Sequence, residues 1–287
     1  MWPAYGVAAG VTVGAVQWRS FVAVGDSFTE GLDDPYPVGA GTGFRGWADL
    51  VAEALAARAD RFSYANLAVR GRLFGRVVDE QVPAALAMRP ALVSFAAGGN
   101  DVLRRSFDPL AMVRRFDATV GRLRGGGAEV ILFRFADLTR RLPGGRVIAP
   151  RVALLNRAVA ETAQRYGARL VDLWSDDEFA NPALWSIDRL HLSAAGHQRV
   201  AAHVLAALGV ATDPQWWQVP PLPPPGRWLA ARGADVVWAG RHLAPWLKRR
   251  LTGRSSGDLV TAKRPQLAPL VRPPLRGDGE AGEHPLG

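Results

Sequence analysis

Hydrophobic residues along this chain gather in two kinds of run. Short unbroken apolar stretches, rich in Val, Leu and Phe, cover 20–25, 62–66, 91–96, 130–135 and 169–172. Continuous apolar character suits a strand whose sheet is covered by helices on both faces. Between these runs, apolar residues recur every three or four positions, as in Trp47, Leu50, Val51, Ala54 and Leu55, the stripe of an amphipathic helix. Asp108 before Pro109 reads as a cap and first-turn proline. Gly167 closes a helix that opens near Pro150, and Ser193 caps one that runs toward Leu208. Strand and helix alternating five times predict a doubly wound α/β domain over 20–212, built on a parallel five-stranded sheet. Residues 1–19 are expected to be an extension packed on it.

Beyond residue 212 the pattern changes. "PQWWQVPPLPPPGRW" opens a proline-rich linker, 213–226, which can continue neither a helix nor a central strand. Residues 227–251 read as a helical extension, with Leu229, Val236, Leu243 and Leu247 on one side and Trp228, Trp238 and Trp246 adding apolar surface. It is expected to pack on the domain, so a cut at 212 should lower stability or solubility. Residues 252–287 are rich in Arg, Pro and Gly and are expected to be a disordered basic tail.

Composition narrows the picture further. With 48% hydrophobic residues among 287, one sizeable core is affordable. The absence of cysteine excludes disulfides, thiolate metal sites and a thiol nucleophile. Residues 213–287 hold 11 Lys/Arg against 6 Asp/Glu, a large part of the net charge of +9. No nucleic-acid recognition motif accompanies them, so nucleic acid is not an expected partner. The apolar start "MWPAYGVAAGVTVGAVQW" lacks a basic beginning and is too short to span a bilayer. The expectation is a cytoplasmic protein without a transmembrane segment, with export left open.

The first apolar run ends in "VAVGDSFTEG". Gly25, Asp26 and Ser27 can end a strand through turn chemistry alone. They can also hold a serine at the carboxyl edge of a parallel sheet, where such folds bind ligands. A reactive serine needs a base to take its proton and donors for the oxyanion it creates. "DRLHLSAAGH" places Asp188 and His191 three apart, just before the last helix of the domain. That spacing lets a carboxylate reach one ring nitrogen while the other faces a serine. "AAGGND" brings Asn100, whose amide can donate, and "NLAVRG" brings Gly71, whose N–H no side chain shields. Each fragment alone is equally explained as turn chemistry.

As an ordered set, "GDSFTEG", "NLAVRG", "GGND" and "DRLHLS" resemble the SGNH, or GDSL, family of serine hydrolases over residues 20–208. The resemblance implies a flavodoxin-like SGNH-hydrolase fold; no metal-ligand cluster is seen in the sequence, and no cofactor or metal is expected. It implies Ser27 as nucleophile, His191 as base and then acid, and Asp188 as its orienting carboxylate. The N–H groups of Ser27 and Gly71 and the amide of Asn100 are implied as the oxyanion hole. Asp26 and Asp101 are read as structural, and His197, His203, His242 and His284 as lacking comparable partners.

"GTGFRG", Gly41 to Gly46, matches a dinucleotide fingerprint, but Pro35 and Pro37 occupy the place of the strand that fingerprint requires. A flexible loop over 32–42 is expected instead, with Asp33-Asp34 a solvated pair. Arg70, Arg72, Arg104 and Arg105 follow strands at the expected edge. They are candidate contacts for an acidic group on the substrate, and Trp185 is a candidate wall for an acyl group. The expected partner is a small acyl ester. An esterase, an acyltransferase passing the acyl group to a sugar or other alcohol, and a noncatalytic protein binding through its basic tail all remain open. For either enzyme, loss of 253–287 is expected to leave small-ester turnover unchanged.

Overall fold

Successive residues of β1 (Ser20–Gly25) point to opposite faces of a sheet and enter two different cores. Phe21 and Ala23 pack with Trp47, Leu55, Val200 and Val204. Val22 and Val24 pack with Phe95, Phe116, Val120 and Leu155. Both faces are therefore dry, which is why the strand carries no polar alternation. The computed structural model describes residues 17–39, 42–139, 141, 145–221 and 257–270.

The order along the chain is β1, α1 (Ser27–Glu30), α2 (Gly46–Ala56), β2 (Ser63–Asn66), α3 (Phe74–Arg76), a wide helical turn Val77–Gln81, α4 (Val82–Ala87) and β3 (Leu92–Ala96). Then come α5 (Gly99–Val102), α6 (Pro109–Gly125), β4 (Glu129–Arg134), α7 (Gly145–Tyr166), β5 (Arg169–Asp172), α8 (Ala194–Ala207) and β6 (Arg264–Pro269). Strands β1 to β5 are parallel and ordered 5-4-3-1-2, the flavodoxin-like order. α2 and α8 pack together on one face, and α6 and α7 on the other.

Three expectations need correction. The sheet has six strands, because β6 pairs antiparallel with β2 at its edge. The segment read as a disordered tail therefore contributes an ordered strand, and the expectation that loss of 253–287 leaves turnover largely unchanged falls with that reading. "RPQLAP" was hard to read as a strand because Pro265 and Pro269 cannot donate to a ladder. An edge strand bonds on one side only and tolerates both. Finally, α7 begins at Gly145, so Pro150 lies inside it rather than opening it.

Two predicted caps form: Asp108 accepts from the Ala111 N–H at 3.0 Å and Ser193 from that of Gly196 at 3.3 Å. The start of the expected linker, Pro214–Trp217, is docked on α8, where Arg199 donates to the Trp217 carbonyl at 2.8 Å. The expected helix over 227–251 lies outside the described residues, as do residues 1–16 of the N-terminal extension. Among the described residues, no helix is long and apolar enough to cross a membrane.

Candidate active site

At Gly25, the last residue of β1, a side chain adds to the backbone bonding. Gln81, buried in the wide turn Val77–Gln81, accepts from the Gly25 N–H and donates to the Gly25 carbonyl, both at 2.9 Å. The chain then turns into α1, which Asp26 caps by accepting from the Phe28 N–H at 3.1 Å. Ser27 is the first residue of that helix, so its N–H belongs to the orphan donors of a helix start.

The loop before α8 supplies the opposite wall. Asp188 Oδ1 accepts from the N–H groups of Leu190 and His191, both at 2.9 Å, which fixes the carboxylate within its own loop. Its Oδ2 lies 2.5 Å from His191 Nδ1. On the far side of the ring, Nε2 lies 3.1 Å from Ser27 Oγ. With Nδ1–H donated to Asp188, Nε2 is left as an acceptor toward the hydroxyl.

Electrostatics keep this arrangement ready to hold a proton. Burial pushes the His191 pKa down, but the hydrogen bond and charge of Asp188, with the carboxylates of Asp33 and Asp26, leave it above its usual value. Burial raises Asp188, yet its bonds from His191 and from the loop N–H groups prevail and hold it at about 2. Asp26 goes the other way, because burial lifts it to about 6.

Asp33 corrects the sequence reading. It is not simply a solvated acid: its Oδ2 lies 4.0 Å from His191 Nδ1, with a φ of 71° that turns it inward. Asp34 is buried, accepts from the Gly46 N–H at 3.0 Å and so holds the start of α2. Asp33, Asp188 and His191 each offer an atom within 4.8 Å of the others.

Of the candidate oxyanion donors, Ser27 and Asn100 border one cavity, described below, and Gly71 lies outside its lining. Gly71 adopts a φ of 71°, a conformation that favours glycine, and among the described residues neither its N–H nor that of Ser27 has a hydrogen-bond partner. The Asn100 amide, by contrast, is engaged. It donates to Asp26 Oδ2 at 3.1 Å and to the Arg72 carbonyl at 3.0 Å. Accepting an oxyanion requires it to share or exchange one of these bonds. Asp101 accepts from the Phe74 N–H at 2.8 Å and ties the Asn100 loop to α3.

Ser27, Asn100 and His191 border a cavity of about 100 Å³, walled by apolar residues including Phe28, Phe135, Leu138, Leu155, Leu173 and Trp185. Trp185 thus occupies the predicted wall, and its Nε1 is satisfied by the Phe179 carbonyl at 2.8 Å. A profile of the GDSL-like Lipase/Acylhydrolase family matches residues 23–199.

The chain belongs to the GDSL-like lipase/acylhydrolase family.

Solved structures agree on the fold. LAE5, an alpha/beta hydrolase enzyme from the metagenome of Lake Arreo, Spain, is 23% identical with a TM-score of 0.57, over 70% of this chain and 99% of that one. Axe2, an acetylxylan esterase from Geobacillus stearothermophilus, is 20% identical with a TM-score of 0.56, over 71% and 98%. TesA is 25% identical with a TM-score of 0.54, over 66% and 98%. No curated protein matches the chain.

Within this GDSL-like protein, the candidate arginines are engaged with the protein itself or lie outside the cavity lining. Arg70 grips the buried carboxylate of Glu30 through Nε at 2.9 Å and through its backbone N–H at 2.7 Å, and its guanidinium lies over Phe44. Arg72 Nε lies 3.4 Å from Glu80. The Arg104 carbonyl accepts from Arg151 at 2.6 Å. None of the three, nor Arg105, lines the cavity. Of the histidines read as lacking comparable partners, His197 has only backbone ones and His203 faces a carboxylate. His197 accepts from the Trp47 N–H and faces the Leu32 carbonyl, and burial lowers its pKa to about 4, so it is a neutral strut. His203 meets Asp176 at 2.7 Å. His242 and His284 lie outside the described residues.

Proposed function

We propose that this protein is a serine esterase that cleaves small carboxylic esters through an acyl-enzyme on Ser27. The observation that carries this reading is the line from Asp188 through His191 to Ser27 Oγ, at 2.5 and 3.1 Å, opening on an apolar cavity. His191 Nε2 takes the hydroxyl proton as Oγ attacks the carbonyl carbon. The oxyanion forms between the N–H groups of Ser27 and Gly71 and the Asn100 amide. His191 then returns the proton to the departing alcohol, and water, activated by the same nitrogen, releases the acid.

The apolar walls select the acyl side by excluding water and charge, so a straight aliphatic chain fits better than a dicarboxylate. The test is turnover of p-nitrophenyl esters of graded chain length, with a sugar present in a parallel set and products weighed by mass spectrometry. Free acid is expected in both sets. Dominant sugar ester would shift the reading to acyl transfer, and no turnover of any ester would remove it.

The rate should fall at low pH as His191 protonates and loses its capacity to accept. Its pKa is raised, so half of the plateau kcat/KM is expected above pH 6.5. Asp33→Asn removes one nearby negative charge and keeps a residue that tolerates positive φ. The acid limb should then move to lower pH. A limb that stays in place would separate Asp33 from the imidazole.

A further inference from the structure

The family match ends at residue 199, but about sixty residues later the chain returns to the loops that follow β1 and β2. Two residues of that returning segment touch the loops around Ser27. Lys263, largely buried, lies 2.9 Å from Asp49 and donates to the carbonyls of Phe44 at 2.9 Å and Arg45 at 2.5 Å. Asp49 is itself buried and also accepts from Tyr64 at 2.7 Å and from Tyr36. Lys263 thus fixes the end of the 32–45 loop against α2. Phe44, whose carbonyl it holds, carries the Arg70 guanidinium on its ring, 5.0 Å from the centroid.

Gly257 makes the second contact. It is buried, and a Cβ placed on it would sit 2.0 Å from the Arg70 carbonyl oxygen and 3.0 Å from Val69. Only a glycine lets the two backbones come this close. The Arg70 carbonyl and the Gly71 N–H belong to one planar trans peptide unit and point in opposite directions. A wall behind the oxygen therefore sets the direction of the N–H. Glu30, which holds the Arg70 N–H and guanidinium, fixes the preceding peptide.

We propose that residues 257–270 are an in-chain brace of the oxyanion site, in which Gly257 and Lys263 are positioning residues for the Gly71 N–H. The brace rests on the reading of Gly71 as an oxyanion donor. It lies beyond the matched family region, and it joins the sheet through β6 so that its grip is anchored at both ends. Its effect is on the transition state. The N–H must be aimed at an oxygen that carries full charge only after attack, so poor aim lowers kcat more than it weakens ester binding.

The test uses the full chain with Gly257→Ala, Lys263→Met and Lys263→Arg. Activity is expressed per active site, titrated with an activated alkylphosphonate that labels the serine, so unfolded molecules drop out of kcat. Gly257→Ala pushes the Arg70 carbonyl aside and is expected to lower kcat about tenfold, a fraction of the roughly 10²–10³ for outright loss of a donor. KM should change less than about twofold. Lys263→Met should lower kcat in the same way, and Lys263→Arg, which keeps charge and donors, should restore most of it. If Gly257→Ala yields no folded protein, the two Lys263 variants decide. Parent-like kcat per site in folded Gly257→Ala, or in Lys263→Met, would overturn the brace. A serine-to-alanine control at 27 separates the two readings: if it stays active the catalytic assignment fails, and if it is dead while the brace variants match the parent, only the brace fails.

Discussion

Ser27→Ala should reduce ester turnover by about 10⁶-fold, the scale seen when a hydrolase loses its nucleophile. The substitution removes one oxygen whose contact is His191 Nε2 at 3.1 Å. It leaves the Asp26 cap, the Gln81 bonds to Gly25 and the apolar cavity in place. The variant should therefore melt near the parent and still bind ester. Among the described residues, no second hydroxyl shares the Nε2 atom of His191. The check has two parts. Steady-state rates on p-nitrophenyl esters should fall to background, and mass spectrometry should find the phosphonate adduct on the parent and not on the variant. Near-parental turnover in a folded Ser27→Ala protein would falsify the assignment.

The second large effect is expected from Asn100→Ala, which should lower kcat by about 10²–10³ while KM changes little. Asn100 borders the cavity with a polar amide, and its loss leaves the apolar walls that would hold the acyl group in place. The loss has two sources. One oxyanion donor disappears, and Asp26 Oδ2 and the Arg72 carbonyl lose the amide that joined them. Asn100→Asp offers a useful contrast. It keeps the shape, but brings a carboxylate beside Asp26 and toward the developing negative charge, so it should be at least as slow. A loss below about fivefold in Asn100→Ala would remove Asn100 from the major donors.

Much of this site could be read from the residues because the signals are local. The five apolar runs match β1 to β5 with boundaries shifted by a residue or so. The motifs follow these strands because parallel strands deliver their ends to one edge. What escaped reading depends on partners far along the chain. Gln81 looks like an ordinary helical glutamine, yet it bonds the last residue of β1 across 56 positions. Asp33 sits beside Asp34 in sequence, but opposite φ demands and different partners send one to His191 and the other to Gly46. Arg70 and Arg72 read as free cations only while their carboxylate partners, Glu30 and Glu80, were unknown. β6 was the largest omission. Its prolines argue against a strand until an edge is available to receive it.

That edge strand also orders events in time. Lys263 meets Arg45 across 218 positions, so the 32–45 loop and Asp49 must wait for almost the whole chain before their last partner arrives. β1 to β5 lie within the first 172 residues and can pair much earlier during synthesis. A nascent chain passes through a stage in which the sheet exists but β2 still has an open edge. Such an edge is a template for pairing with another molecule. β6 closes it with a strand that itself contains two prolines, Pro265 and Pro269, which cannot donate to a further strand. The same late step that braces the Arg70–Gly71 peptide thus ends the period in which the protein is most exposed to aggregation.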